Sequence, residues 1–254
     1  MTAGALPQVR AELLLPHEID AALARRSVVY VPLGSLEYHG EHLPIGLDGL
    51  TVHGICVRAA ARSGGIVLPP LYCAVGGEHT RYPWTIMADS DVPLRDLLRQ
   101  TLARLEAFGV RTAVLFTGHF ADEQIAVIED LAGSSNARTS AMRVLPLAVN
   151  RSGAAVPPDH AGRFEASLLA ALHPDRVDLD RLGSFDEAAR RDLEHGGGYG
   201  QRHDPDHPLY GVFGPDPRPF DATTAAELLE HLVAWTVGCV EVDDGQARGR
   251  PSAR

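Results

Sequence analysis

The chain contains no lysine: all 23 of its basic residues are arginine. That absence excludes Schiff-base catalysis, which needs a lysine amine. Cysteine is scarce too. Cys56, Cys73 and Cys239 are an odd, scattered set without any Cys-x-x-Cys spacing, so neither a disulfide framework nor a cysteine zinc site is indicated. Positive charge is in deficit, 23 basic against 33 acidic residues for a formal net charge of −10. A nucleic-acid surface needs the reverse. No stretch reaches the roughly 18 consecutive apolar residues of a membrane span, and the N-terminus lacks a basic region followed by an apolar one. A cytoplasmic protein with neither a nucleic-acid nor a membrane partner is expected. Its 254 residues, 45% of them hydrophobic, suffice for one sizeable α/β core.

Strand and helix signals alternate along the chain. Apolar runs at 28–33, 66–70, 112–116 and 142–147 read as strands, the second closed by two prolines. Helical spacing covers 16–26, 49–62, 92–108, 121–132, 161–172 and 222–240. The clearest case is 92–108, with Leu94, Leu97, Leu98, Leu102 and Leu105 on one face. Strands separated by helices predict a three-layer α/β/α fold with a mostly parallel central sheet. The polar, glycine- and proline-rich stretch 183–221 reads as a long ordered loop. One domain over 1–246 and a disordered tail at 247–254 complete the expectation.

Chemistry concentrates just past the strands. After 28–33 comes Glu37-Tyr38-His39-Gly40-Glu41-His42-Leu43-Pro44-Ile45-Gly46-Leu47-Asp48. Glu37 and His39, two apart in an extended segment, point to the same side, and the turn residues between can fold Asp48 back towards them in the same loop. Strand 112–116 runs into Thr117-Gly118-His119, and Asp159-His160-Ala161-Gly162-Arg163-Phe164-Glu165 opens a helix. Five helical residues turn through about 500°, so His160 and Glu165 share a cavity only if His160 precedes the helix. Carboxylates and imidazoles converging at strand ends suit a zinc- or manganese-type ion.

Together these segments resemble the creatininase (creatinine amidohydrolase) family. The matching residues are Pro32-Leu33-Gly34-Ser35-Leu36-Glu37-Tyr38-His39-Gly40, His42-Leu43-Pro44, Asp48, Thr117-Gly118-His119, and His160-Ala161-Gly162 with Glu165-Ala166-Ser167. Asp216-Pro217-Arg218 with Asp221-Ala222-Thr223 looks like the family's closing motif. The resemblance implies a metal-dependent amidohydrolase with two divalent ions per chain, zinc, manganese or iron, assembled as a homo-oligomer, often a hexamer. Carried over by position, Glu37 and His119 would hold one ion, His39 and Glu165 the other, with Asp48 bridging. Such ions lower the pKa of a bridging water enough to supply hydroxide near neutral pH. His160 then fits as proton shuttle to the departing nitrogen; the alternative is a histidine that merely orients a ligand carboxylate.

Departures from the family bear on substrate. True creatininases have a glutamate two positions after the histidine that His119 matches, where this chain has Ala121, and a tryptophan where Val156-Pro157-Pro158 stands. Creatinine itself is therefore not expected as substrate. A different small amide, cyclic or formyl, is the first expectation. A peptidase acting on a modified peptide is the second, and a catalytically silent metal-binding scaffold the third. Gly76 to Thr85 is the expected substrate loop, with His79, Tyr82 and Trp84, joined by Phe120; Arg81 could pair with a substrate carboxylate. Tyr82 and Trp84 serve equally well as anchors of the loop or of a subunit contact. The stretch 195–207 reads as a solvated loop, possible as a lid, because glycine-rich segments preorganise ligands poorly.

Overall fold

A computed structural model describes residues 6–138, 141–184 and 200–248. The chain order is α1 (Pro16–Arg25), β1 (Val28–Gly34), α2 (Leu47–Ser63), β2 (Ile66–Val67), β3 (Leu71–Tyr72), α3 (Val92–Ala107), β4 (Thr112–Thr117), α4 (Asp122–Ala137), β5 (Arg143–Ala148), α5 (Arg163–Leu172) and α6 (Ala222–Arg248). The strands form one sheet in the order β2-β1-β4-β5, with β3 also on β1, and every pairing is parallel.

The alternation of β1 sorts the core into two layers. Val28 and Tyr30 join Val114 and Phe116 of β4 under α2, α5 and α6. Val29, Val31 and Leu33 join Ala113 and Leu115 under α1, α3 and α4. Each strand residue thus packs on one helical layer or the other, as a sheet covered on both faces requires. In α3 the buried leucines are 94, 98, 102 and 105, while Leu97 stays 38% exposed.

Three boundaries differ from expectation. The strand read over 66–70 is split at Pro69-Pro70 and resumes as Leu71–Tyr72. Proline cannot donate to a ladder, and Tyr30, whose carbonyl takes the Leu68 N–H at 2.9 Å, faces the same edge as Pro32, two residues on. The missing donor of Pro32 therefore falls opposite the break. The last helix runs on to Arg248, so residues 247 and 248, read as tail, belong to it; 249–254 lie outside the described residues. Asp48, read as a loop residue, sits in the first turn of α2. Among the described residues no helix is long and apolar enough to cross a membrane.

Two strand-end glycines decide where α2 begins. A Cβ on Gly34 would lie 2.3 Å from the Gly49 nitrogen, and one on Gly118 would lie 2.2 Å from the Asp48 carbonyl oxygen. Without side chains, the ends of β1 and β4 let the first turn of α2 lie directly across them. That contact carries Asp48 to the carboxyl edge of the sheet, where open parallel sheets place their ligand sites.

Candidate metal centre

Five buried side chains meet at that edge. Glu37 and His39 follow β1, Asp48 opens α2, His119 follows β4 and Glu165 lies in the first turn of α5; none is more than 3% exposed. His39 Nε2 lies 3.5 Å from Glu37 Oε1, 3.4 Å from Asp48 Oδ1 and 3.5 Å from Glu165 Oε2. His119 Nδ1 lies 3.1 Å from Glu37 Oε2 and 3.5 Å from Asp48 Oδ2. Two groups with metal-binding spacing share Asp48, namely Glu37-Asp48-His119 and His39-Asp48-Glu165. This is the grouping that family position implied. A third, Glu37-His39-His160, overlaps both.

The donor set fits divalent cations on several grounds. Three carboxylates are buried together, with imidazoles as their ion-pair partners among the described residues. Burying such charges is costly unless they are paired or coordinate metal. Glu37 Oε2 and His39 Nε2 have no hydrogen-bond partner, although they face donor atoms of the cluster. The remaining nitrogens are already used. His39 Nδ1 contacts the Glu37 carbonyl at 2.9 Å and His119 Nε2 the Val75 carbonyl at 3.3 Å. Protons donated there turn the opposite nitrogen of each ring, the one a cation would take, towards the cluster.

Neighbouring groups hold the ligands in place. The Ser35 hydroxyl donates to Asp48 Oδ2 at 2.6 Å, and the Ala161 N–H to Glu165 Oε2 at 2.6 Å. The buried Gln124 donates to the Thr117 hydroxyl at 2.8 Å and accepts from the Val75 N–H at 3.1 Å. Thr117 donates in turn to the His119 carbonyl at 2.5 Å, so one amide braces both the backbone and the ring partner of His119. Asp159 receives the Phe164 N–H at 3.0 Å and the Glu165 N–H at 3.4 Å, which caps α5.

Electrostatics follow from the crowding. Burial alone pushes the Glu37 carboxyl up, but the charge on His119 beside it holds it well below the usual range. Burial likewise disfavours a charged His39, yet Glu165 and Asp48 lift it to about 10. Burial raises Glu165 well above the ordinary carboxylate range. His160 differs: burial, reinforced by the His39 charge, pulls it down to about 3, so it is a neutral imidazole near pH 7.

His160 does lie in the loop before α5, in the geometry that lets it share a cavity with Glu165. Its Nε2 contacts the Tyr38 carbonyl at 3.0 Å, and its Nδ1 stands 3.2 Å from Glu37 Oε1. Ala161, next to it, has a φ of +58°, a strained value for a residue with a side chain, and this kink turns the chain from His160 into the helix. The segment 207–213 closes over it, with paired backbone hydrogen bonds between His160 and Phe213 at 3.2 and 2.8 Å.

Of the expected substrate residues, His79 and Phe120 line a cavity of about 260 Å³ above the cluster, with Ala121, Arg202 and Phe213. His79 Nδ1 lies 3.3 Å from Glu37 Oε1. Tyr82 does not line the cavity but stacks between Tyr38 and the segment 202–213. Trp84 is 78% exposed and does not line the cavity. Arg81 turns outward towards the Glu78 carboxylate, 3.6 Å away. The arginine at the cavity is Arg202, which the sequence hid inside a stretch read as solvated loop; in its described part Gln201 and His207 are buried too. Residues 195–199 lie outside the described residues. Larger clefts, of about 600 and 730 Å³, lie elsewhere and contain none of the clustered ligands.

A family model described as creatininase, creatinine amidohydrolase, matches residues 13–240. The chain belongs to the creatininase family. Creatinine amidohydrolase of Pseudomonas putida is 29% identical over 180 residues, 61% of this chain and 68% of that protein. The mycofactocin precursor peptide peptidase of Mycolicibacterium smegmatis is 30% identical over 167 residues, 61% of this chain and 62% of that protein. Among solved structures, a creatininase at 25% identity superposes with a TM-score of 0.71 over 92% of this chain and 97% of its own. Manganese and zinc–zinc creatininase structures, each 24% identical, superpose with TM-scores of 0.72 and 0.73 over 92% of this chain and 98% of theirs. This chain is a divergent creatininase-family hydrolase, and it carries clustered groups able to bind metal.

Proposed function

We propose that the chain is a dinuclear metal-dependent amidohydrolase acting on a C–N amide other than creatinine, a small cyclic amide or a formamide. The observation that carries this reading is the pair of ligand groups sharing Asp48 at the floor of a small cavity. Glu37, Asp48 and His119 would hold one ion, and His39, Asp48 and Glu165 the other. Bound there, zinc, manganese or iron would polarise the amide carbonyl and lower the pKa of a water nucleophile.

The chain's own groups do the rest. Ser35 and Ala161 orient the carboxylates of Asp48 and Glu165. His160, neutral and anchored through Nε2, holds Nδ1 at the cavity 3.2 Å from Glu37 Oε1, where it would accept a proton from the attacking water and pass it to the leaving nitrogen. His79, its Nδ1 3.3 Å from Glu37 Oε1 and its ring centroid 4.5 Å from that of His160, lines the cavity beside it. Ala121 places a methyl in the cavity lining where creatininases have a carboxylate, which supports a different substrate. A cavity near 260 Å³ falls below the usual 300–1,000 Å³ of ligand pockets, so it suits a small amide or the end of a peptide. The peptidase relatives at 27–30% identity favour cleavage of a peptide terminus as the second reading. The exposed Trp84 and Ile86 fit a subunit contact in a homo-oligomer, a hexamer by family resemblance.

The test is a metal-replete screen against lactams, formamides, short peptides and creatinine, with elemental analysis of the same sample. Close to two ions per chain and turnover of a non-creatinine amide are expected. Creatinine turnover on the order of 10 per second, a typical enzyme rate, would overturn the specificity, and a metal-binding chain inert on every amide would favour the scaffold.

A further inference from the structure

Arg202 differs in its surroundings from the ion-paired arginines of the chain. Arg62, Arg95, Arg99 and Arg218 each lie within ion-pair distance of a carboxylate. Arg202 lines the catalytic cavity together with Glu37, Asp48 and His160, and no carboxylate among the described residues ion-pairs with it. Its guanidinium lies 4.1 Å from the centre of the Phe213 ring, and its Nε is buried without a hydrogen-bond partner. Phe213 also packs against His160 and His79, at centroid distances of 4.8 and 5.0 Å. The cation therefore stands one aromatic ring from the groups poised over the metal ligands.

The position is also braced. The Tyr82 hydroxyl donates to the Arg202 carbonyl, and Gln201 Nε2 donates to the Gly214 carbonyl at 3.2 Å. A stacked guanidinium on a fixed backbone has lost much of its rotamer freedom, so a planar anion can bind its donor fork at little further ordering cost. A chain with a net charge of −10 has ample carboxylates to neutralise an arginine whose role is structural. Among the described residues none is spent on this one.

We propose that Arg202 receives a carboxylate on the substrate, so that the enzyme hydrolyses amides bearing an acid group a few bonds from the scissile carbonyl. This rests on the amidohydrolase reading above and narrows its substrate class. The test compares two hydroxamates on the metal-loaded protein by calorimetry: acetohydroxamate, which is neutral beyond its metal-binding head, and succinohydroxamate, which adds a carboxylate. A phosphonate-bearing hydroxamate serves as a third arm. Charge-assisted pairing predicts that succinohydroxamate binds about 10- to 100-fold more tightly than acetohydroxamate. Arg202→Met, which keeps the apolar stem on Phe213, should erase that advantage while leaving acetohydroxamate affinity within about two-fold. Tyr82→Phe should erode it partially, and serves if Arg202→Met does not fold. Equal affinities for the two hydroxamates in the parent protein, or an advantage that survives Arg202→Met, would overturn the assignment. A phosphonate preferred over the carboxylate would overturn the choice of anion. If neither hydroxamate binds, the metal-hydrolase reading falls and this one with it.

Discussion

Two short hydrogen bonds show how finely single residues position this cluster. The Ser35 hydroxyl and the Ala161 N–H each restrain one carboxylate, at 2.6 Å in both cases, through an oxygen that also faces a cluster imidazole 3.5 Å away. Asp48 alone belongs to both three-residue halves of the cluster, so Asp48→Ala should lose both ions and His39→Ala mainly one. Elemental analysis of the two purified variants checks this, and full occupancy in Asp48→Ala would remove the bridging role. His160 is a separate case because its Nε2 is held by the Tyr38 carbonyl and its Nδ1 faces the cavity. General acid–base groups contribute about 10²- to 10⁴-fold, so His160→Gln should lower the rate by that much with the metals still bound. The loss should be smaller for substrates with better leaving groups. An equal loss for all substrates, together with lost metal, would instead mark His160 as an orienting residue.

Elements contribute by their ends. β1, β4 and α5 each terminate at the cluster, and α2 starts there only because Gly34 and Gly118 present no side chain to its first turn. Gly118→Ala must push Asp48 away, since its Cβ would lie 2.2 Å from the Asp48 carbonyl oxygen. Overpacking of this kind costs about 1–3 kcal/mol. The variant should melt lower and bind metal more weakly, while Gly109→Ala, whose added Cβ meets nothing within 4 Å but whose φ of +77° is strained, should destabilise without affecting metal binding. Equal metal affinity in the two variants would show that α2 can shift without moving Asp48.

Stability of the whole molecule should carry an acid-sensitive component from His42. This residue is buried, its Nε2 3.0 Å from the Ala161 carbonyl, and its own carbonyl takes the Asp178 N–H at 3.0 Å, so it ties the loop after β1 to the entry and exit of α5. Burial pulls its pKa down to about 4, below the ordinary value near 6.5. The unfolded chain then takes up a proton that the folded chain refuses, so stability is complete above about pH 6.5 and is lost as pH falls towards 4. The full span corresponds to about 3 kcal/mol. Urea midpoints between pH 7 and pH 4, measured in the presence of chelator, should fall less steeply for His42→Asn than for the parent chain. Parallel slopes would mean that His42 does not titrate in this window.

The alternating strand and helix signals, the two-residue spacing of Glu37 and His39, and the leucine face of 92–105 are local properties, and periodicity carries them in the sequence. The five cluster residues were legible for the same reason: they fall in three short segments with recognisable flanks. Other features are decided by contacts between segments far apart in the chain. Asp48 becomes a helix residue because glycines of two strands admit α2. The strand read over 66–70 breaks where two prolines meet the donorless edge of Pro32. Arg202, more than 80 residues from the cavity-lining residues that follow β1 and β4, enters the site only because 202–213 packs against Tyr38, Tyr82 and His160, whereas Arg81, close in sequence to the same aromatics, turns outward. Composition and spacing determine which chemistry the chain can assemble. Packing between distant segments determines which side chains reach it, because burial and partner choice depend on neighbours that no local window contains.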